Sequence, residues 1–202
     1  EQALEAGAVA VSRAIDASAD IFIGGDMGIA NTTSATALAC AYLDKSAVLL
    51  AGPGTGLDAQ GVSHKAHVIE QALKKHHSNT LTAMQILQYF GGFEIAALTG
   101  AFIAAAQQGL PVVIDGFIAT AAALAAVKIK PGCDVWFIYA HQSHEQGHTV
   151  MLEALNADPL VNLNMRLGEA SGAAIVIPLL RQACALHANM ATFAEAGVST
   201  GE

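Results

Sequence analysis

Basic residues are scarce in this chain. Nine Lys and Arg stand against 17 Asp and Glu, a formal charge of −8, and no basic run is interleaved with aromatics. The summed field therefore repels polyanions, and nucleic acid is not an expected partner. Cysteine is sparse too. Cys40, Cys133 and Cys184 are far apart, odd in number and without a Cys-x-x-Cys pair, which suits buried free thiols in a reducing compartment and makes the cytoplasm the expected location. Long apolar runs are missing as well. The longest, IDGFIATAAALAAV over 114–127, contains Asp115 and is followed by Lys128, so it is too short and too interrupted to span a bilayer and reads as core. No basic n-region with a following apolar h-region opens the chain, which starts with Glu rather than Met; such a start is compatible with a trimmed or truncated polypeptide.

What is present is apolar and small. The 202 residues are 53% hydrophobic, enough for one well-buried core and one domain over 1–202. Three runs of continuous rather than alternating apolarity read as buried strands: DIFIGG (20–25), PVVID (111–115) and DVWFIYA (134–140), with SAVLLAG (46–52) as a weaker fourth. Between and after them, helical spacing of apolar residues covers 2–17, 32–43, 62–76, 80–90, 94–108, 117–127, 147–156 and 169–187. Strands alternating with helices predict an α/β fold, a mostly parallel sheet flanked by helices in a Rossmann-like three-layer arrangement. Two helical segments with no strand between them close the chain, which predicts a C-terminal helical patch beside the sheet.

Ligands in open α/β sheets settle at the carboxyl ends of the strands, where loop amides and helix N-termini converge. Here those ends and the loop after 46–50 read GGDMGIANTT (24–33), AGPGTGLD (51–58), DGFIAT (115–120) and AHQSHEQGH (140–148). Glycines admit a phosphate close to backbone N–H groups, and Ser and Thr add hydroxyl donors. Each loop alone is as well explained by a tight turn; together they look like parts of one phosphate-bearing site.

Single residues invite competing readings. HEQGH (144–148) matches the His-Glu-x-x-His zinc pattern, but Gly147 and the strand before it argue for a polar strand-to-helix turn, with Ser143 offering a hydroxyl and no metal expected. Asp26 and Asp115 close strands, where a carboxylate either faces a ligand or caps the turn that follows. Glu169, in NMRLGEASGAA (164–174), opens a long apolar helix; it complements the helix N-terminus or faces a bound group across flanking glycines. LKKHHSN (73–79) ends a helix with cations that face water. Lys65, in GTGLDAQGVSHK, is a lone cation just beyond a glycine loop, where a phosphate would use it.

The blocks GGDMGIANTTSATAL, GPGTGLD with GVSHK, GGFEIAALTGAFIAAA, GLPVVIDGFIATAAAL, HQSHEQGH and MRLGEASGAA occur in the same order in the nicotinate-nucleotide:dimethylbenzimidazole phosphoribosyltransferase family, which this chain resembles over essentially its whole length. The resemblance implies transfer of phosphoribose from nicotinate mononucleotide to 5,6-dimethylbenzimidazole, giving alpha-ribazole 5'-phosphate and nicotinate for the lower ligand of cobalamin (vitamin B12), with no cofactor. It places the general base at Glu169 and a charge-stabilising carboxylate at Asp26, where the family usually carries the longer Glu in GEMGI or GELGM. Gly54, Lys65, Gly116 and Ser143 would hold the phosphate, with Asn31 and Thr32 near the ribose and Asp115 beside the substrate. A homodimer is also implied. Family members carry a further N-terminal segment with an ADHGV-type motif and part of the benzimidazole pocket, which this sequence does not contain. Two expectations follow from that: a phosphoribosyltransferase, or a binding-only module that holds the mononucleotide or phosphate without turnover.

Overall fold

Continuous apolarity gives three short parallel strands, β1 (Phe22–Gly24), β2 (Val112–Ile114) and β3 (Phe137–Tyr139), in the computed structural model, which describes residues 1–199. They lie in the order β1-β2-β3, with Ile23 opposite Val113 and Val113 opposite Ile138. The fold is the expected α/β class. Central β2 is buried on both sides, and its residues alternate: Val112 and Ile114 enter the larger core while Val113 enters a smaller one.

The chain winds in one direction across the sheet, so right-handed crossovers set the connecting helices on one face. On that face lie α2 (Thr32–Leu43), α4 (Ala59–His76), α5 (Ala83–Phe90), α6 (Phe93–Gln107) and α7 (Phe117–Ile129), together with α1 (Gln2–Asp16) and α8 (Gln146–Ala154). Phe102, Leu38, Leu124 and Met151 fill the core they enclose. Helices α1 and α6 approach unusually closely: a Cβ on Gly7 would overlap the carbonyl of Ala97, and one on Gly100 the carbonyl of Leu4. The expected tract at 114–127 becomes β2 and α7, whose residues Phe117–Ala126 are all buried; it is core.

The other face carries α9 (Ser171–Asn189), whose Ala173 and Val176 pack with Val113 and Ala140. Of the two closing helices, α8 thus joins the main layer and α9 forms the third. Ile175, Leu179 and Leu186 on α9 remain exposed. Among the described residues α9 is the one helix long and apolar enough, by length and composition, to cross a membrane, but its buried Ala173 and Val176 tie it to the sheet.

Three sequence expectations are corrected. SAVLLAG forms a short helix, α3 (Ala47–Leu50), instead of a strand, and the Ala47 amide donates to the Glu70 carboxylate at 2.6 Å; an apolar run this short fits either structure until a partner decides it. Cys133–Trp136 makes a 3₁₀ turn entered through Gly132 at φ +88, so only Phe137–Tyr139 of the third run is strand. Cys40 and Cys133 are buried, their thiols pushed up to about 12 and about 11, mainly by burial and then by Glu70 and Asp134 respectively, whereas Cys184 is exposed on α9.

Candidate functional site

The strand ends are brought together by a segment that runs beside β3 without forming a regular strand. Val161 N–H donates to Ala140 O at 3.1 Å, Gln142 N–H to Val161 O at 3.0 Å, and His144 N–H to Met165 O at 3.2 Å. The run 160–165 thereby follows the 139–144 loop and delivers Arg166–Ala170 to the far side of the sheet. There the Glu169 amide donates to the Asp26 carbonyl at 2.8 Å. Gly168, Glu169 and Ala170 all have positive φ (+81, +57 and +61). Only glycine adopts that region without strain, so two side-chain-bearing residues in a row mark a turn that the surroundings over-determine.

Two cavities open at these loops. The first, about 280 Å³, is lined by Thr32, Gly54, Asp115, Gly116, Ser143 and Arg166, with Asp26 on its wall. Gly116 is the N-cap of α7, and the first helical bond runs from Thr120 N–H to Gly116 O. The preceding amides of that turn have no acceptor within the helix and, with its dipole, favour an anion. Ser143 Oγ, His141 Nδ1 and Glu145 Oε2 are buried around the same cavity without a protein partner.

Asp115 is buried and accepts the Ala173 amide at 2.9 Å, so it caps α9 rather than its own turn while still lining the cavity. Lys65 is buried and does not line the cavity. Its Nζ donates to Thr32 Oγ1 at 2.9 Å and to Gly52 O at 3.1 Å. Burial pushes its pKa below the usual lysine range, against the opposing pull of Glu145. Lys65 therefore reaches the cavity through Thr32.

The second cavity, about 840 Å³ and more open, is lined by Glu169, Asp26, Asn31 and Glu94 together with Met27, Ile29 and Phe93. Asp26 Oδ1 accepts the Gly28 amide at 2.7 Å and Asn31 Nδ2 at 2.9 Å, and the same Asn31 nitrogen donates to Glu94 Oε1 at 3.3 Å. One oxygen of Asp26 thus holds its own turn, as the capping reading expected, and the residue also borders both cavities.

Of the residues singled out in the sequence, Asp26, Thr32, Gly54, Asp115, Gly116 and Ser143 line the first cavity, and Asn31 and Glu169 line the second with Asp26. Arg166, His141 and Glu94 were not singled out, and Glu145 only as the acid of the zinc pattern, although each stands in a block quoted for the family resemblance. In HEQGH, His144 is exposed outside the helix, whereas His148 is buried within α8, with its ring nitrogens bonded to Ser143 N–H and Thr120 Oγ1. The two imidazoles do not form a helical pair. Among the described residues no three His, Cys, Asp or Glu side chains are grouped to hold a metal ion. In the last turn of α4, Lys74, Lys75 and His76 are exposed.

A family model described as Phosphoribosyltransferase matches residues 1–198. Proteins named nicotinate-nucleotide–dimethylbenzimidazole phosphoribosyltransferase from Xanthomonas oryzae pv. oryzae and Pseudomonas aeruginosa are each 57% identical over 197 residues, covering 98% of this chain and 56% of theirs. A crystal structure of CobT from Thermus thermophilus matches with a TM-score of 0.94 at 42% identity, over 100% of this chain and 60% of that one. The chain spans little more than half the length of these curated relatives. With a family model over nearly all of its residues and this agreement of sequence and fold, the chain belongs to the nicotinate-nucleotide:dimethylbenzimidazole phosphoribosyltransferase family.

Proposed function

We propose that this chain carries the donor site and the general base of an enzyme that moves phosphoribose from nicotinate mononucleotide to 5,6-dimethylbenzimidazole, forming alpha-ribazole 5'-phosphate and nicotinate for the cobalamin lower ligand. One observation carries the reading: Asp26 borders two adjoining cavities, one rich in anion donors and the other containing Glu169.

In this reading the donor phosphate lies against Gly54, Gly116 and the first turn of α7, with the Ser143 hydroxyl and Arg166 as further donors. Lys65 adds its charge through Thr32, Asp115 holds the neighbouring wall, and Asn31 and Thr32 flank the ribose. The nicotinate ring leaves as a neutral pyridine from a pyridinium, so the departing group needs no acid. The acceptor does need a base. One benzimidazole nitrogen attacks the anomeric carbon from the face opposite nicotinate, the C–N bond to nicotinate breaks, and Glu169 takes the proton from the other nitrogen. Attack from that face inverts the anomeric carbon and gives the α-nucleotide. Asp26 stabilises positive charge on the ribosyl carbon as the bond breaks.

The binding-only module remains the second reading, favoured by the acceptor side. There Met27, Ile29 and Phe93 are 57%, 61% and 87% exposed, so the wall that would sandwich an aromatic acceptor is open. Incubation with both substrates, following nicotinate release and α-nucleotide formation, separates the two: binding of the mononucleotide without transfer supports the module. We also infer a homodimer, with the exposed apolar side of α9 as the surface it would bury, and a cytoplasmic location in keeping with the buried free thiols.

A further inference from the structure

His148 is fully buried yet lines neither cavity. Its Nδ1 accepts the Ser143 amide proton at 2.9 Å, and its Nε2 lies 2.8 Å from Thr120 Oγ1. A neutral imidazole that accepts at Nδ1 carries its proton on Nε2, so Thr120 Oγ1 is the acceptor of the second bond. Burial, and then the neighbouring His141, push the ring down to about 3, which keeps it neutral. Thr120 stands in α7, whose first turn frames the first cavity, and Ser143, in the loop after β3, lines the same cavity beside Gly116. One ring therefore ties together two of the sources of anion donors. It also decides which donor Ser143 can offer: the amide is engaged inward, while Oγ is buried at the cavity without a protein partner.

We propose that His148 is a positioning residue for the phosphate subsite, holding the Ser143 hydroxyl, and not its amide, toward the phosphate at a fixed distance from the α7 amides. This inference rests on the reading of the first cavity as the donor-phosphate site. A histidine that merely filled space would contribute to stability alone. One that acts through Ser143 is coupled to it, and a double-mutant cycle measures that coupling.

The test is titration of the 202-residue chain with nicotinate mononucleotide and with inorganic phosphate, with circular dichroism to check folding. Ser143→Ala should weaken mononucleotide binding roughly 10–100-fold, the scale of a hydrogen bond to a charged group. His148→Ala should weaken it comparably, and the double variant should lose little more than either single one. His148→Asn, which retains an acceptor for the Ser143 amide, should recover most of the loss. Should His148→Ala not fold, Thr120→Val decides the matter. It keeps the buried shape, frees the ring to turn, and should weaken binding several-fold in the wild-type background but not beside Ser143→Ala. Wild-type binding of neither probe, or no effect of Ser143→Ala, would refute the donor-phosphate reading itself. Normal loss in Ser143→Ala with additive or absent effects at positions 148 and 120 would refute the role of His148 alone.

Discussion

The Glu169 amide donates to the Asp26 carbonyl at 2.8 Å, so the two carboxylates assigned to the chemistry are joined through their backbones. Around that bond the loops are nearly in contact. A Cβ on Gly25 would sit 2.5 Å from the Ala170 nitrogen, and one on Gly168 would sit 2.7 Å from the Asp26 carbonyl oxygen. The left-handed turn at Glu169 and Ala170 costs about 1–2 kcal/mol per residue, and the clamp between the loops offsets that cost. Stored strain here fixes where each carboxylate starts from.

Gly168→Ala tests the clamp. It puts a side chain at φ +81 and into the Asp26 carbonyl, and should destabilise the chain by about 1–3 kcal/mol, the range for a strained backbone position. Activity, assayed at a temperature where the variant is folded, should fall by a larger factor than the folded population does. Loss proportional to unfolding would reduce the clamp to a stability feature.

Glu169→Gln keeps the shape and removes the base. Turnover should drop by about 10²–10⁴ relative to the parent polypeptide, the usual contribution of general-base catalysis, with mononucleotide affinity little changed. A near-normal rate in the Gln variant removes Glu169 from the mechanism.

Lys65→Met retains the buried stem and deletes the charge. Because Nζ meets Thr32 and not the cavity, affinity for the mononucleotide should fall and its salt dependence should weaken. Thr32→Val should reproduce part of the loss. Titrations of Lys65→Met that overlay the wild-type curves at low and high salt would exclude Lys65 from the site.

His148 makes stability depend on pH with a defined sign. Its ordinary value of 6.5 applies in the unfolded chain, and the folded ring is pushed down to about 3, first by burial and then by His141. Below 6.5 the unfolded chain binds a proton that the folded chain refuses. The contribution is therefore complete above that pH and declines as pH falls toward 3, at up to about 1.4 kcal/mol per pH unit. Urea midpoints of the wild type should decline over this window more steeply than those of His148→Asn; parallel curves would show that the ring titrates freely in the folded state.

The three strands were legible because both sides of a parallel sheet are buried, which leaves runs such as PVVID without a polar alternation. The short run at 46–52 carried the same signal, and its helix was settled by Glu70, a residue too far along the chain for any local pattern to include. Glycine loops marked the site blocks in the same way. Arg166 and Glu94 escaped because neither residue type is unusual where it stands; their placement depends on the 160–165 segment following β3 and on α6 beginning beside the β1 loop. Lys65 was visible as a lone cation, but its burial behind Thr32 was not, since nothing in GVSHK distinguishes a side chain facing ligand from one facing a neighbouring hydroxyl. The resemblance to the family supplied the chemistry at Glu169, which the residues alone left balanced against a helix-terminal charge.

The open second cavity and α9 together bear on how the chain behaves alone. Ile175, Leu179 and Leu186 on α9 are exposed, as are Met27, Ile29 and Phe93 around the second cavity, and apolar surface beyond a few hundred Å² is a liability for a monomer. The chain also spans only 56% of the length of its curated relatives. Expressed alone, the 202-residue polypeptide should therefore self-associate, with sedimentation showing dimers or larger species, and Leu179→Ser with Leu186→Ser should shift it toward monomer. It should bind nicotinate mononucleotide through the donors proposed for the first cavity, yet transfer phosphoribose poorly, because holding the acceptor in line supplies much of the reduction in barrier. Supplying the part of a curated relative that this chain does not match, fused or as a separate chain, should raise transfer without comparable change in mononucleotide affinity. A monomer with full activity on a benzimidazole would show instead that Met27, Ile29 and Phe93 suffice to hold the acceptor.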